Sequence, residues 1–372
     1  MNDPRPPVVS EAAARADAAA AARVAATIRD DVRALRAYPV AKTEGLIALN
    51  ANENPFSLPA ALASMLGAAL AAVPVHRYPD GAADRVKAAL AAALPIPSGA
   101  GVVVGNGSDE LIQIITSAVA RPGANVLAPE PTFVMYAAYA MQAHARYVGV
   151  PLREDFSLDQ AAMVSAIERE HPVLIWLASP NNPTGQRIPR ETLERILAVA
   201  PGVVVVDEAY ADFGDESLLR RALDFPNLIV LRTLSKIGLA GLRLGYAVAH
   251  PAWTRELDKV RSPYNVNALT QAAVEVVLGA ADVLAAQVAA IRAERGRLGA
   301  ALGARAGIRV FPSDANFLLV RVPDAVGWSN ALRRAGILVK NLDGTHPLLR
   351  HCLRITVGTP AENDALLAAL PS

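Results

Sequence analysis

Residues 227–250 read "NLIVLRTLSKIGLAGLRLGYAVAH", and the fold follows from how that stretch is parsed. Two short apolar runs, "NLIVLRT" (227–233) and "RLGYAVAH" (243–250), flank a segment holding one lysine, Lys236. The runs are continuously apolar rather than alternating, which predicts strands covered on both faces. The same texture extends upstream. "GVVVVDEAY" (202–210) is another such run; "VLIWLAS" (173–179) precedes the helical "PRETLERILAVA" (189–200). "NVLAPEPTF" (125–133) precedes an Ala- and Tyr-rich helix from about Val134, and "GVVVG" (101–105) precedes "DELIQIITSAVA" (109–120). Repeated βα units predict an α/β fold with a mostly parallel central sheet and right-handed crossovers.

From about Ser262 the texture changes. A long helical region (268–306) leads to "IRVFPSDANFLLVRV" (308–322), a further helix and "CLRITVG" (352–358), the pattern of a smaller α+β domain. The expected division is an N-terminal extension at 1–30, an arm with part of the smaller domain at 31–72, the large domain at 73–265 and the smaller domain at 266–372. The segment from Glu11 is rich in strong helix formers and predicts a helix.

Composition narrows the class. The chain has 372 residues, enough for two domains. Lys and Arg number 36 against 35 Asp and Glu, a net charge of +1, so no overall field favours nucleic acid or anionic lipid. No apolar run reaches the ~18–20 residues of a membrane span. The single Cys352 cannot form an intramolecular disulfide and fits a reducing compartment. The N-terminal stretch lacks the pattern of a secretory or mitochondrial signal, so a soluble cytoplasmic protein is the expectation. No His/Cys/Asp grouping has metal-ligand spacing and no Ser–His–Asp set stands out.

In an open α/β sheet, ligands bind beyond the carboxyl ends of the strands. Four predicted strands carry polar residues to that end. After "GVVVG" comes "NGSDE", a Gly-rich turn feeding a helix N-terminus, where Ser108 and Asp109 either offer N–H groups to a phosphate or simply cap the helix. After "VLIWLAS" comes "PNNPTG", presenting Asn181 and Asn182 or forming an ordinary Asn-Pro turn. After four valines comes Asp207, poorly solvated and in need of a cation, with Tyr210 three residues on; a structural salt bridge is the alternative. Lys236, if partly buried, has its ammonium form disfavoured and becomes a nucleophilic amine; if it snorkels, it is a surface cation. Jointly the four describe one ligand. Thr233, Ser235, Arg243 and a helix N-terminus suit a phosphate, the acid suits a ring nitrogen, and the lysine suits an aldehyde. That ligand is pyridoxal 5′-phosphate.

The blocks "LNANENPF", "RYPDG", "GNGSDE", "PTFVMY", "SPNNPTG", "VDEAYADF", "RTLSKIGLAGLRLGY", "DANFLLVR" and "LRITVGT" resemble, in order, those of the histidinol-phosphate aminotransferases, which are fold-type I pyridoxal-phosphate enzymes. The resemblance runs from about Asp30 to the C-terminus. It implies that Lys236 bonds the cofactor aldehyde and moves the substrate proton, and that Asp207 pairs with the ring nitrogen. Tyr210 and Asn182 would hydrogen-bond the ring oxygen, and Tyr136 would stack on the ring. Thr233, Ser235, Arg243 and the N–H groups of Ser108 and Asp109 would hold the phosphate. It further implies a homodimer in which Tyr78 reaches the neighbouring subunit's phosphate site. Arg354 would take the substrate anion, and Tyr38 would close over it. Some members carry a second arginine where this chain has Lys340, which keeps the charge without the planar fork. His346 and His351 either touch substrate or sit on the surface.

The implied reaction moves an amino group between L-histidinol phosphate and 2-oxoglutarate, giving imidazole acetol phosphate and L-glutamate. The competing readings are a phenylalanine-type aromatic aminotransferase and a phospho-amino-acid decarboxylase on the same cofactor. Cofactor-sensing transcription regulators share the fold, but they place a DNA-binding domain before it, and no basic recognition helix is apparent here.

Overall fold

The computed structural model describes residues 11–35 and 41–371. Strand β1 (Ile47–Leu49) comes first in the chain. Seven strands follow: β2 (Gly101–Asn106), β3 (Asn125–Glu130), β4 (Arg146–Pro151), β5 (Leu174–Ala178), β6 (Val203–Asp207), β7 (Leu228–Thr233) and β8 (Leu244–Ala249). The last four are β9 (Arg309–Val310), β10 (Phe317–Arg321), β11 (Ile337–Asn341) and β12 (Cys352–Thr356).

Strands β2 to β8 form one sheet in the order β2-β8-β7-β6-β5-β3-β4. All neighbours are parallel except at β8, which runs antiparallel to both β2 and β7. Every residue of β5, β6, β7 and β8 is buried, which is why their sequences show no polar alternation. Alternation persists in which face each side chain serves. Val203, Val205, Leu174, Trp176, Ile229 and Leu231 pack with helices Gly107–Val119, Met135–Gln142 and Pro251–Val260. Val204, Val206, Ile175, Leu177 and Val230 pack on the other face, with helices Gln160–Glu170 and Arg190–Val199. The expected α/β class and mostly parallel sheet are what the structure has. β4, absent from the sequence reading, closes the far edge beside β3.

The second sheet has the order β1-β11-β12-β10-β9. Only β1 and β11 pair in parallel; the other pairs are antiparallel. Its core takes Leu298 and Leu302 from helix Ala281–Gly303, Leu332 from Ala325–Arg334 and Leu366 from Pro360–Ala369. Helix Ala268–Leu278, assigned by the sequence to the smaller domain, instead packs Val274, Val277 and Leu278 into the large sheet's core. The two sheets lie together in one compact unit, Thr43–Ser372. The long helical region is broken: Ala268–Leu278 and Ala281–Gly303 meet at 79°. Among the described residues no single helix is long and apolar enough to cross a membrane.

The other unit ends at Lys42. Its described part is helix Glu11–Thr27 and a short helix Asp30–Arg33. The single helix expected there is interrupted at Arg29, whose extended backbone starts a second helix with Asp30 and Asp31 at its positive end.

Candidate active site

The register of the large sheet sets one rim. Asn106 pairs with Leu244, Gly105 and Thr233 both pair with Gly245, and Asp207 pairs with Leu231 on one side and Ala178 on the other. The ends of β2, β7, β6 and β5 therefore stand side by side, and the polar residues that follow them share one edge.

Asp207, the last residue of β6, is 5% exposed. Its Oδ2 accepts a 2.6 Å hydrogen bond from the Tyr136 hydroxyl and its Oδ1 a 3.0 Å bond from the Ala209 N–H. Burial pushes its carboxyl up to about 6, against those two bonds; Asp109 raises it further and Lys236 draws it down. Among the described residues no salt bridge reaches Asp207, so the structural ion pair weighed from sequence is not what holds it.

Tyr210 follows on the turn after β6. Its hydroxyl accepts from Asn52 Nδ2 at 3.0 Å, leaving the phenolic proton to donate elsewhere. Lys236 sits half-buried in the turn Ser235–Ile237, its Nζ 3.4 Å from the Ala51 carbonyl oxygen and 5.8 Å from the centre of the Tyr210 ring. Asn182 lies beyond β5, and its Oδ1 accepts from Arg354 Nη1, which turns its amide N–H group outward as a donor. Asn181 is structural. It donates to the Pro131 carbonyl and Thr184 hydroxyl, each at 3.0 Å, and accepts from Thr132, tying the loops after β3 and β5 together.

At the other end of the rim, helix Gly107–Val119 starts directly from β2. Two glycines make a cradle there. A Cβ at Gly245 would lie 2.5 Å from the Ser108 nitrogen, and one at Gly107 would lie 2.6 Å from Arg243 Nη2. Gly107 also has φ +80°. Arg243, itself left-handed at φ 51°, places Nη2 3.5 Å from Asp109 Oδ2. The Thr233 hydroxyl donates to the Leu244 carbonyl at 3.2 Å and lies 2.9 Å from Ser235 Oγ. First-turn N–H groups, an arginine and two hydroxyls gathered at one point could together hold an anion.

Across from the rim, β12 supplies Arg354. Its Nη2 donates to the Asn50 carbonyl at 2.8 Å and its guanidinium lies 5.4 Å from the Phe317 ring centre. Lys340 is its cross-strand partner on β11. Burial first, then the Arg354 charge, lowers the Lys340 ammonium below the usual lysine range.

One expected role is corrected. Tyr136 has no exposed surface: its ring stacks on Trp176 at 4.8 Å and 3°, and its hydroxyl is committed to Asp207. A ring enclosed on that scale cannot offer a face to a ligand. The half-buried Phe133, edge-on to Tyr136 at 5.7 Å, is the aromatic left at the rim. Tyr78 is 81% exposed and stacks on Tyr264, and no described contact brings it to this site. Tyr38 lies outside the described residues. His346 accepts the Leu348 N–H through Nδ1, and the His351 N–H bonds Asp343, which are local structural duties. Among the described residues no group of three His, Cys, Asp or Glu could hold a metal ion.

Comparison with known proteins agrees with this geometry. The family model for aminotransferase class I and II matches residues 44–370. The chain belongs to that family. It is 54% identical to the histidinol-phosphate aminotransferase of Chromobacterium violaceum, over 92% of this chain and 96% of that one. It is 52% identical to histidinol-phosphate aminotransferase 1 of Ralstonia nicotianae, over 92% and 93%. Among solved structures, the histidinol-phosphate aminotransferase of Sinorhizobium meliloti, in complex with pyridoxal-5′-phosphate, superposes with a TM-score of 0.81. The identity there is 28%, with 93% of this chain and 96% of that one covered.

For an aminotransferase, the residues present fit the expected cofactor. A buried acid without a cation suits a protonated ring nitrogen, and the glycines at 107 and 245 let the start of helix Gly107–Val119 sit close against β8 and the Arg243 guanidinium, a grouping that fits a phosphate. The sequence reading overlooked Asn52, Phe133 and Phe317. Asn52 stood inside the quoted "LNANENPF" block, but its partners Tyr210 and Thr356 are 158 and 304 residues away.

Proposed function

We propose that this aminotransferase is a pyridoxal-phosphate-dependent transaminase acting between L-histidinol phosphate and 2-oxoglutarate, giving imidazole acetol phosphate and L-glutamate. The observation that carries the reading is Asp207: a carboxylate buried without a cation, at one rim with Lys236, Tyr210 and an anion cradle. The printed names of the relatives at 54% and 52% identity support the substrate.

When bound, the cofactor supplies an aldehyde for covalent attachment and a cationic ring that accepts electrons from the substrate's α-carbon. Asp207 would hold the ring N–H, with Tyr136 and Ala209 fixing the carboxylate. Tyr210 and Asn182 would donate to the ring oxygen, each oriented by its own partner, Asn52 and Arg354. Phe133 would cover one ring face. Ser108, Asp109, Ser235, Thr233 and Arg243 would hold the phosphate. Lys236 Nζ would be the amine placed for the aldehyde and, when released from it, the base that moves the proton at the substrate's α-carbon. Arg354, with Lys340 beside it, receives the substrate's phosphate or carboxylate.

The same proposal includes a homodimer. Met65, Val75, Tyr78, Tyr264 and Leu269 expose apolar surface on one chain, and Tyr78 would reach the neighbouring subunit's phosphate site. Steady-state rates with L-histidinol phosphate and with phenylalanine as amino donors test the reading. Higher kcat/KM for histidinol phosphate is expected; equal or reversed preference removes it in favour of an aromatic aminotransferase.

A further inference from the structure

We propose that Arg232 is a positioning residue for this reaction. From the face of the large sheet opposite the cofactor site, it holds Glu208 and Asp212, and through them the turn that aims Asp207 and Tyr210. The inference rests on the roles proposed above for those two residues.

Alternation along the strands separates the two duties. Asp207 continues the Val203–Val205 side of β6, and Glu208, one residue on, falls on the Val204–Val206 side. In β7, Arg232 likewise follows Val230 rather than Leu231, and its cross-strand partner Tyr246 packs on that same face. The turn from 207 to 213 is thus gripped from behind at two points. Arg232 Nη2 lies 2.7 Å from Asp212 Oδ1, and its Nε lies 3.9 Å from Glu208 Oε2. Glu208 in turn accepts the Leu218 N–H and the Ser217 hydroxyl, each at 2.5 Å. Between the gripped residues stand Ala209, which donates to Asp207, and Tyr210.

Arg232 is 5% exposed and Glu208 3%. An apolar side chain would fill the same space without desolvating charges, so the buried ions are poorly explained as a source of stability. What they supply is direction. A guanidinium has a planar fork, and two carboxylates on one turn, four residues apart, meet it in few arrangements. Lys236 is tied in as well, because Arg232 and Thr233 end the strand that leads into its turn.

Asp212 is the partner best placed for a test. Its side chain is 29% exposed and lines a cavity of about 550 Å³ with Leu234, Ile237 and Tyr246, so Asp212→Asn leaves the core closed. Arg232→Met, Arg232→Lys and Asp212→Asn would be prepared as apoproteins and titrated with pyridoxal phosphate. Three quantities are read: the dissociation constant, the pH midpoint of the bound cofactor's visible absorbance, and kcat and KM. A displacement of order 1 Å at the reacting groups costs about 100-fold, so kcat of Arg232→Met should fall to that extent, with weaker cofactor binding and a shifted midpoint. KM for the amino donor, set at Arg354, should change little. Arg232→Lys should recover part of kcat, and Asp212→Asn should shift the midpoint in the same direction.

A folded Arg232→Met with wild-type affinity, midpoint and kcat overturns the proposal, even if its melting temperature drops. If Arg232→Met does not fold, an unchanged affinity and midpoint in Asp212→Asn overturns it. Wild-type protein that binds no cofactor sinks the functional reading as well; wild-type binding with unaltered variants sinks this inference alone.

Discussion

The hydroxyl of Tyr136 donates a 2.6 Å hydrogen bond to Oδ2 of Asp207, in a place where both residues are buried. The bond answers what each residue needs. A phenol enclosed against Trp176 must find an acceptor, and a carboxylate at the end of four valines must find donors. It also leaves Phe133 as the aromatic in "PTFVMY" that could face a cofactor, and it leads to the first test.

Tyr136→Phe should fold, since it keeps the stack on Trp176 and removes one oxygen. A hydrogen bond to a charged group contributes about 1.5–3 kcal/mol, so cofactor affinity should fall by up to about 10- to 150-fold. Phe133→Ala should weaken binding by loss of a stacking face instead, with no change in the pH at which Asp207 titrates. Equal affinity in Tyr136→Phe and the wild type would mean that Asp207 does not depend on this bond.

Asp207 also sets a pH dependence of the apoprotein. Its carboxyl rises from the ordinary 3.8 to about 6, chiefly by burial. The folded chain therefore holds this proton more tightly than the unfolded chain does. Between those two values stability declines with rising pH, by about 3 kcal/mol in total from this group. Asp207→Asn apoprotein should accordingly melt higher than wild type at pH 7–8, and the gap should close below about pH 4. The same variant should bind cofactor more weakly. Thermal melts of both apoproteins across this range check the sign.

Lys236→Ala should still fold, because the amine makes a long 3.4 Å contact with the Ala51 carbonyl and a 5.8 Å approach to the Tyr210 ring centre, and neither ties elements of the core together. Borohydride treatment should then leave no cofactor attached to the chain, while wild type is labelled at this position. Labelling of the variant would assign the covalent role to another amine.

Lys340 and Arg354 stand opposite each other on β11 and β12, two cations that would share the substrate anion under the proposed reading. The lowered Lys340 ammonium loses its charge at a pH below that of an ordinary lysine. KM for the phosphorylated donor should therefore begin to climb at a lower pH than an exposed lysine would allow. Lys340→Arg should hold KM flat to higher pH. Arg354→Ala should raise KM for both donor and acceptor.

Tyr78 is exposed on its own chain, and its proposed duty lies on a neighbour. Tyr78→Ala and Lys236→Ala should each be nearly inactive alone. Refolded together, they should recover activity through hybrid dimers that carry one intact site. Persistent inactivity of the mixture would remove Tyr78 from the shared site.

Much of this was legible in the chain itself. The continuous apolar runs of β5, β6 and β7 specified buried parallel strands, and the rule that ligands gather beyond strand ends brought Asp207, Lys236 and Arg243 together. Those inferences are local, since each polar residue follows its own strand within ten residues. Tyr136 was misjudged for an equally local reason. The helix begins at Met135, so Tyr136 and Ala140 form its buried stripe and Phe133 stays in the loop before it.

Composition and spacing determined the layers, the rim and the set of residues able to meet a phosphate, an aldehyde and a ring. Tertiary packing alone decided how those residues are aimed. Asn52 meets Tyr210 and Thr356 across 158 and 304 residues, and Arg232 reaches Glu208 and Asp212 from a neighbouring strand. A chain's periodicity records which face a side chain takes, because that is set by backbone geometry. Which partner waits there depends on contacts between segments distant in sequence, and these exist only once the sheets have closed on each other.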